Sequence, residues 1–451
     1  MRPKVPNGQL AALLTEADWS SGELAKVVNA LGNAQGLALR YDRTSVAHWL
    51  SGSRPKDPVP HLVAATFTQR LGRLVSPWNT GLTSAPDPMQ PAVAGGVDAM
   101  HQLIELCRND VDPARRALIT ESPYAITGVP PLDRLQAGGP LAEAAFPAQR
   151  RTTAADVAIL SEVVETFASF ARRFGGKHAR IALAGYIAED VGRLLTRPAP
   201  DHVRRELLTC TAQLTHLLGN MTSDSGQAGL SQHYYNLALD LAAQAGDRRQ
   251  YAITLRALST QALHLGHYRH AHDLADAAVD IAGTAADGAV GAYVLVQRAL
   301  VRSYGQHRLA RADLTEAERR YTPTGSPHGA FTGYPRSALE YQRGAILDAL
   351  GDHTAAQSAW EASLAHRPDD QHRPLALTHA RMAEALLRQG HLDAACSHWD
   401  TFLGHYPYLH STYARRALAR LCQYVGPYQR HPQAAVVLAR ARELNHPVKV
   451  A

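Results

Sequence analysis

Cysteine, lysine and long apolar runs are all scarce in this chain. Four cysteines in 451 residues, Cys107, Cys210, Cys396 and Cys422, lie too far apart for a disulfide framework or a zinc-binding spacing, which points to a reducing compartment. No window approaches the run of about 18 apolar residues that a membrane span needs. The opening MRPKVPNGQL has no apolar segment of the secretory kind. These absences lead us to expect a soluble cytoplasmic chain with no membrane partner. Alternating β-branched stretches bounded by turn residues are nearly missing, while Ala, Leu, Arg, Gln and Glu dominate, so the expected fold class is all-α. Motifs for chemistry are missing too. There is no nucleophile elbow, dinucleotide fingerprint or H-E-x-x-H pair, and FGGKHA around Lys177 has Ala171 where a phosphate loop needs its leading glycine. The sequence therefore gives no catalytic residue, no cofactor and no ground for an enzyme.

At 451 residues the chain exceeds the size at which one core stops growing, so several folding units or a repeat array are expected. The net charge of +6 is dilute over this length. Its distribution says more: residues 1–80 hold nine basic and five acidic side chains. Pro and Gly cluster between residues 76 and 96 and again between Pro123 and Pro147. These stretches divide the chain into a first domain at 1–80, a linker with irregular connecting helices at 81–151, and a third region at 152–451.

Self-similarity marks the third region. Gly344, Leu347, Gly351, Ala356, Trp360 and Pro368 recur 39 residues later as Ala383, Leu386, Gly390, Ala395, Trp399 and Pro407. Each unit reads as two antiparallel helices: small residues allow close approach, a glycine makes the turn, and large residues plug the next unit. Similar turns fall at Gly226, Gly266 and Gly305, with a degenerate one near Gly426. This pattern resembles tetratricopeptide repeats with lengthened helices or loops, and it implies an α-solenoid. Arg298 stands where that family usually has a small residue. The helical stretch from Glu165 to Leu195 resembles the helix pair that precedes such arrays in actinobacterial regulators.

The first domain carries the candidate chemistry. Leu10, Leu13 and Leu14 share one helix face, and Ser20 with Glu23 has the S-x-x-E spacing of a capping box that opens a second helix ending near Gly32. In RTSVAHWLSGSRPK, Thr44 can cap a short helix with Val46, Trp49 and Leu50 on one face, and Gly52 can stop it. Its other face presents Ser45, Ala47 and His48. The order of these segments resembles the Cro and phage-repressor (XRE-type) helix-turn-helix family over residues 7–80. That resemblance implies double-stranded DNA as partner, with Ser45, Ala47 and His48 at base edges and Arg54 near phosphate. Arg43, Thr44 and Lys56 complete the candidate surface. The turn GNAQGLALRYDR is longer than the family's, which leaves the angle between the two helices open.

In tetratricopeptide arrays the first helix of each unit lines the concave surface. Ten, six and three residues before each turn glycine, that rule selects a groove containing Asn220, Arg256, Thr260, Arg302 and Tyr341. Together the resemblances imply a homodimeric transcription regulator whose array senses a peptide, small ligand or partner protein. The alternative is a protein-interaction scaffold whose N-terminal module does not bind DNA. His264, His267, His270 and His272 crowd one segment, but no carboxylate or cysteine beside them completes a metal site, so none is expected.

Overall fold

The computed structural model describes residues 6–34, 37–56, 58–71, 75, 77–83, 96–120, 123–126, 128–129, 151–283, 288–321 and 333–445. Every regular element among them is helical. No helix among them is long and apolar enough to cross a membrane. Two compact units account for the chain. One holds Met1–Leu106, Pro140–Thr153 and Tyr186–Pro200; the other holds Cys107–Gly139, Ala154–Gly185 and Asp201–Ala451.

In the first unit α1 (Gly8–Ala17), α2 (Ser21–Ala34), α3 (Arg43–Leu50) and α4 (Val59–Leu71) surround Leu10, Leu24, Val28, Val46, Trp49, Val63 and Phe67. The expected box opens α2: the Ser20 amide donates to Glu23 Oε2 at 2.7 Å and the Glu23 amide to Ser20 Oγ at 3.3 Å. The helix then runs on to Ala34, past the stop expected near Gly32. At α3 the cap is Asp42, not Thr44. The Ser45 amide and hydroxyl both donate to Asp42 Oδ1 at 2.8 Å, because a carboxylate is the stronger acceptor and starts the helix two residues earlier. Gly52 closes the turn after α3 at φ 96°.

The start of the expected linker is also structured. A 3-10 turn at Trp78–Thr80 lies against α1, where Asn7 Nδ2 donates to the Thr80 carbonyl at 2.8 Å and Leu82 is buried. The apolar anchor at 82 and the amide at 7 hold it down. Residues 84–95, also read as linker, lie outside the described residues.

The stretch expected to be irregular begins with α5 (Gly96–Val111) and α6 (Pro113–Thr120). Asp110 is fully buried and accepts from the Arg180 guanidinium and from the Tyr234 hydroxyl at 2.7 Å. Beyond α6 the extended residues Tyr124 and Ala125 are clamped. Gln232 Nε2 donates to the Ala125 carbonyl at 2.6 Å and its Oε1 accepts the Ala125 amide at 2.9 Å, while Tyr124 stacks on His267. Residues 130–150 lie outside the described residues.

The second unit continues with α7 (Ala154–Phe174) and α8 (Arg180–Tyr186); a π-helical turn Ile187–Val191 and α9 (Gly192–Thr196) follow in the chain. Six helix pairs come next. They are α10 (Asp201–Asp224) with α11 (Ala228–Ala245), α12 (Arg248–His264) with α13 (Tyr268–Ala282), and α14 (Gly288–Arg302) with α15 (His307–Arg320). Then come α16 (Arg336–Ala349) with α17 (His353–Ala365), α18 (His372–Arg388) with α19 (Leu392–His405), and α20 (Thr412–Val425) with α21 (Pro432–Asn445).

Close approach explains the recurring residues. A Cβ on Gly344 would lie 2.4 Å from Nε1 of the buried Trp360, so this position takes glycine. Gly226, Gly266, Gly351 and Gly390 turn at φ between 83° and 90°, whereas Gly305 does not adopt positive φ. In that weaker unit Arg298 replaces small-residue packing with charge. It donates twice to Asp313, at 2.8 and 3.0 Å, and Arg302 bridges Asp313 and Asp276 at 2.9 and 3.0 Å.

The unit closes on itself. Helix α7 packs on α18; the His410 amide donates to the Phe174 carbonyl at 2.7 Å, and the Lys177 amide to the His410 carbonyl at 3.1 Å. Asp224 gathers the Gly176 amide (2.7 Å), the Ser411 hydroxyl (2.6 Å) and the Arg373 guanidinium (3.1 and 3.3 Å). The first helix pair therefore meets the last two.

Candidate functional site

Helix α3 buries Val46 and Trp49 and leaves Arg43, Thr44, Ala47 and His48 exposed on its outer face. Arg54 and Lys56 are exposed on the segment after it. Ser45 is half-buried, and its hydroxyl is committed to Asp42 in the cap. The hydrogen bonds from Ser45 also hold the Asp42 carboxyl below its usual pKa. So the acid beside this face stays ionised, and its charge is spent on the N-terminus of α3.

The long connection between α2 and α3 is pinned at three points. Asn29 Nδ2 donates to the Tyr41 carbonyl at 2.7 Å, and its Oδ1 accepts the Tyr41 amide at 2.9 Å. Leu39 fills the space above Gly32, where a Cβ would come within 2.3 Å of Cδ1. Tyr41 sets its ring edge-on to Trp49 with centroids 5.1 Å apart. This insert is a packed element that fixes where α3 lies, which the sequence pattern left open.

A family model described as the SP15 N-terminal domain matches residues 10–83. Comparison with curated proteins gives no match. The matched segment spans α1 to α4 and the 3-10 turn, the unit that carries the exposed α3 face.

The five groove residues chosen from the repeat register sit on four different helices and are largely engaged. Asn220 is exposed on α10, with Oδ1 accepting the Tyr235 hydroxyl at 2.8 Å. Arg256 lies 3.7 Å over the Tyr293 ring and donates to that residue's carbonyl and hydroxyl. Thr260 donates to Gln297 Oε1 at 3.0 Å. Arg302 is neutralised by Asp276 and Asp313, and Tyr341 is half-buried, with its carbonyl accepting from Trp360.

Other polar residues meet where the helix pairs close. His264 Nδ1 is 3.0 Å from the Tyr413 hydroxyl, which reaches Ser223 at 3.4 Å. His264 is open to solvent there, yet burial among protein and the charges of Arg381, Arg373, Arg416 and Arg256 hold it down to about 4. The register rule selected Ala380 on α18, but Ala380 is core and the next residue, Arg381, is exposed. The rule thus fell one residue short of Arg381, although it did select Arg256. Among the described residues no group of three His, Cys, Asp or Glu side chains is placed to hold a metal.

Proposed function

We propose that this chain is a DNA-binding transcription regulator, with α2 and α3 acting as a helix-turn-helix and the paired helices as a tetratricopeptide-type solenoid that senses a ligand or partner. The observation that carries this reading is the outer face of α3. A rigid short helix, anchored from beneath by Val46 and Trp49, offers Arg43, Thr44, Ala47 and His48 to solvent. Small and hydrogen-bonding side chains of this kind lie flush in a major groove, and Lys56 just beyond is placed for phosphate. Arg43, His48 and Lys56 have no ion-pair partner among the described residues, so their hydrogen-bonding groups are available. A dimer would present two such helices to two half-sites.

The test is a gel shift of the full chain on the DNA upstream of its own gene, in specific and scrambled forms. His48→Ala is expected to weaken specific binding by about 1 to 3 kcal/mol with little effect on scrambled DNA. Lys56→Ala should weaken both alike and reduce the salt slope by about one. Ser45→Ala is a poor probe, because its hydroxyl is part of the capping box with Asp42 and its loss perturbs the start of α3 by itself. Failure to shift any DNA, with the chain folded, would instead favour an N-terminal module that docks protein.

A further inference from the structure

Five guanidinium groups and a histidine converge where the helix pairs close. Arg256 comes from α12, Arg373 and Arg381 from α18, and Arg416 and Arg420 from α20. His264 stands among Arg256, Arg373, Arg381 and Arg416, close enough to feel the charge of all four. Arg381 reaches across to Tyr341 on α16 and lies near Tyr304 beyond α14. These groups therefore come from α12, α16, α18 and α20, the helices around the closure. Two acids balance part of the charge: Asp224 pairs with Arg373, and Glu384 pairs with Arg420 at 2.6 Å while keeping Arg381 at 3.8 Å. Arg416 has no carboxylate partner among the described residues, while Arg256 is buried and donates to Tyr293, so it adds charge and not a free donor. Arg381 is about half exposed, at 47 % of its side-chain surface, and Arg416 is exposed too. Tyr413 and Tyr341 add flat walls and hydroxyls.

We propose that this interior is a binding site for a small polyanion, a ligand carrying at least two phosphate or carboxylate charges. Excess positive charge gathered among partly buried groups concentrates anions, and guanidinium forks match phosphate and carboxylate oxygens two at a time. A peptide binding through its backbone alone would leave Arg416 uncompensated and Arg381 with only Glu384 at 3.8 Å; a polyanion compensates both. Binding ties α12, α18 and α20 together across the closure and so favours the closed arrangement. This assignment rests on the sensing role proposed above and names the chemistry of what is sensed.

The test is calorimetric titration of the full chain with pyrophosphate, and in a second arm with citrate. One pyrophosphate per chain is expected, bound more weakly as salt rises. Arg381→Gln and Arg416→Gln should each weaken it at least about tenfold, while Arg308→Gln, on the exposed side of α15, should not. A double change of Arg43→Gln and Lys56→Gln should also leave it intact, which separates the interior from the α3 surface. Without any variant, pyrophosphate should protect Arg381 and Arg416 from phenylglyoxal, read by mass spectrometry. Tighter citrate binding would mark carboxylate as the natural charge. No binding of either probe overturns the proposal, as does binding that survives both interior variants with both arginines unprotected. DNA binding measured on the same preparations keeps the two readings apart. A gel shift without anion binding sinks this site alone, and anion binding without a gel shift sinks the regulator alone.

Discussion

His216 is buried on α10 with Nδ1 3.1 Å from Thr254 Oγ1 and its ring 5.6 Å from that of Tyr235. Burial, and after it the positive charge of Arg256, depress its pKa from 6.5 to about 3. The imidazole thus stays neutral in the folded chain. Above pH 6.5 neither state takes a proton at this site, so it has no effect on stability. Below that value the unfolded chain protonates and the folded one does not; stability falls with pH by up to about 1.4 kcal/mol per unit, levelling off near the folded value. Glutamine at 216 keeps a hydrogen-bonding group for Thr254 and does not titrate. We therefore expect His216→Gln to lose less of its urea midpoint than wild type between about pH 7 and about pH 5. Equal losses would assign the acid sensitivity to other groups. Asn29 shows a different kind of single-residue control. Its amide satisfies both main-chain groups of Tyr41, the economical way for one side chain to hold a loop.

At the scale of elements, the unit built on α14 and α15 departs from the repeat pattern and compensates with charge. Arg298 and Arg302 share Asp313, whose side chain is 8 % exposed. Removing that carboxylate leaves two guanidiniums with only Asp276 between them. Asp313→Asn is expected to destabilise the unit by about 3 to 5 kcal/mol, the cost of a buried pair broken on one side. Guanidinium denaturation of the variant would read this as a lower midpoint at unchanged slope; a change below about 1 kcal/mol would show that the cluster is solvated. Helix identity, the Ser20–Glu23 box and the Trp360 and Trp399 plugs were legible in the sequence because each depends on neighbours within one or two turns. The Asp42 cap was missed because Thr44 offered a plausible acceptor two residues on. The Asn29–Tyr41 clamp and the Gln232–Ala125 clamp join residues 12 and 107 positions apart, and no local period records them. The outward face of α3 was readable from Val46 and Trp49, since burying one side of a short helix exposes the other. Arg381 was not, because one residue of phase moves a side chain by about 100° around a helix.

At the scale of the whole second unit, the question is what keeps the first and last helix pairs together, and Asp224 is the most connected answer. Its buried carboxylate joins the Gly176 amide beyond α7, Ser411 before α20 and Arg373 on α18. The backbone bonds between His410, Phe174 and Lys177 run beside it. Stacked helix pairs depend mainly on their neighbours, so loss of this junction should open the ends without melting the middle. We expect Asp224→Asn to keep its helical circular dichroism. Amide exchange at Lys177 and His410 should quicken by at least about tenfold, while amides in α14 to α17 stay as protected as in wild type. The radius of gyration from solution scattering should rise as the ends part. Uniform deprotection would mean that the closure is part of one cooperative core; unchanged exchange at Lys177 and His410 would mean that α7 packing on α18 holds the ends without Asp224. Arg373 is then left with its charge uncompensated in the interior, so the same variant should bind pyrophosphate more tightly if the ends stay joined and more weakly if they separate. The direction of that change therefore reports, from an independent measurement, which of the two structural outcomes has occurred.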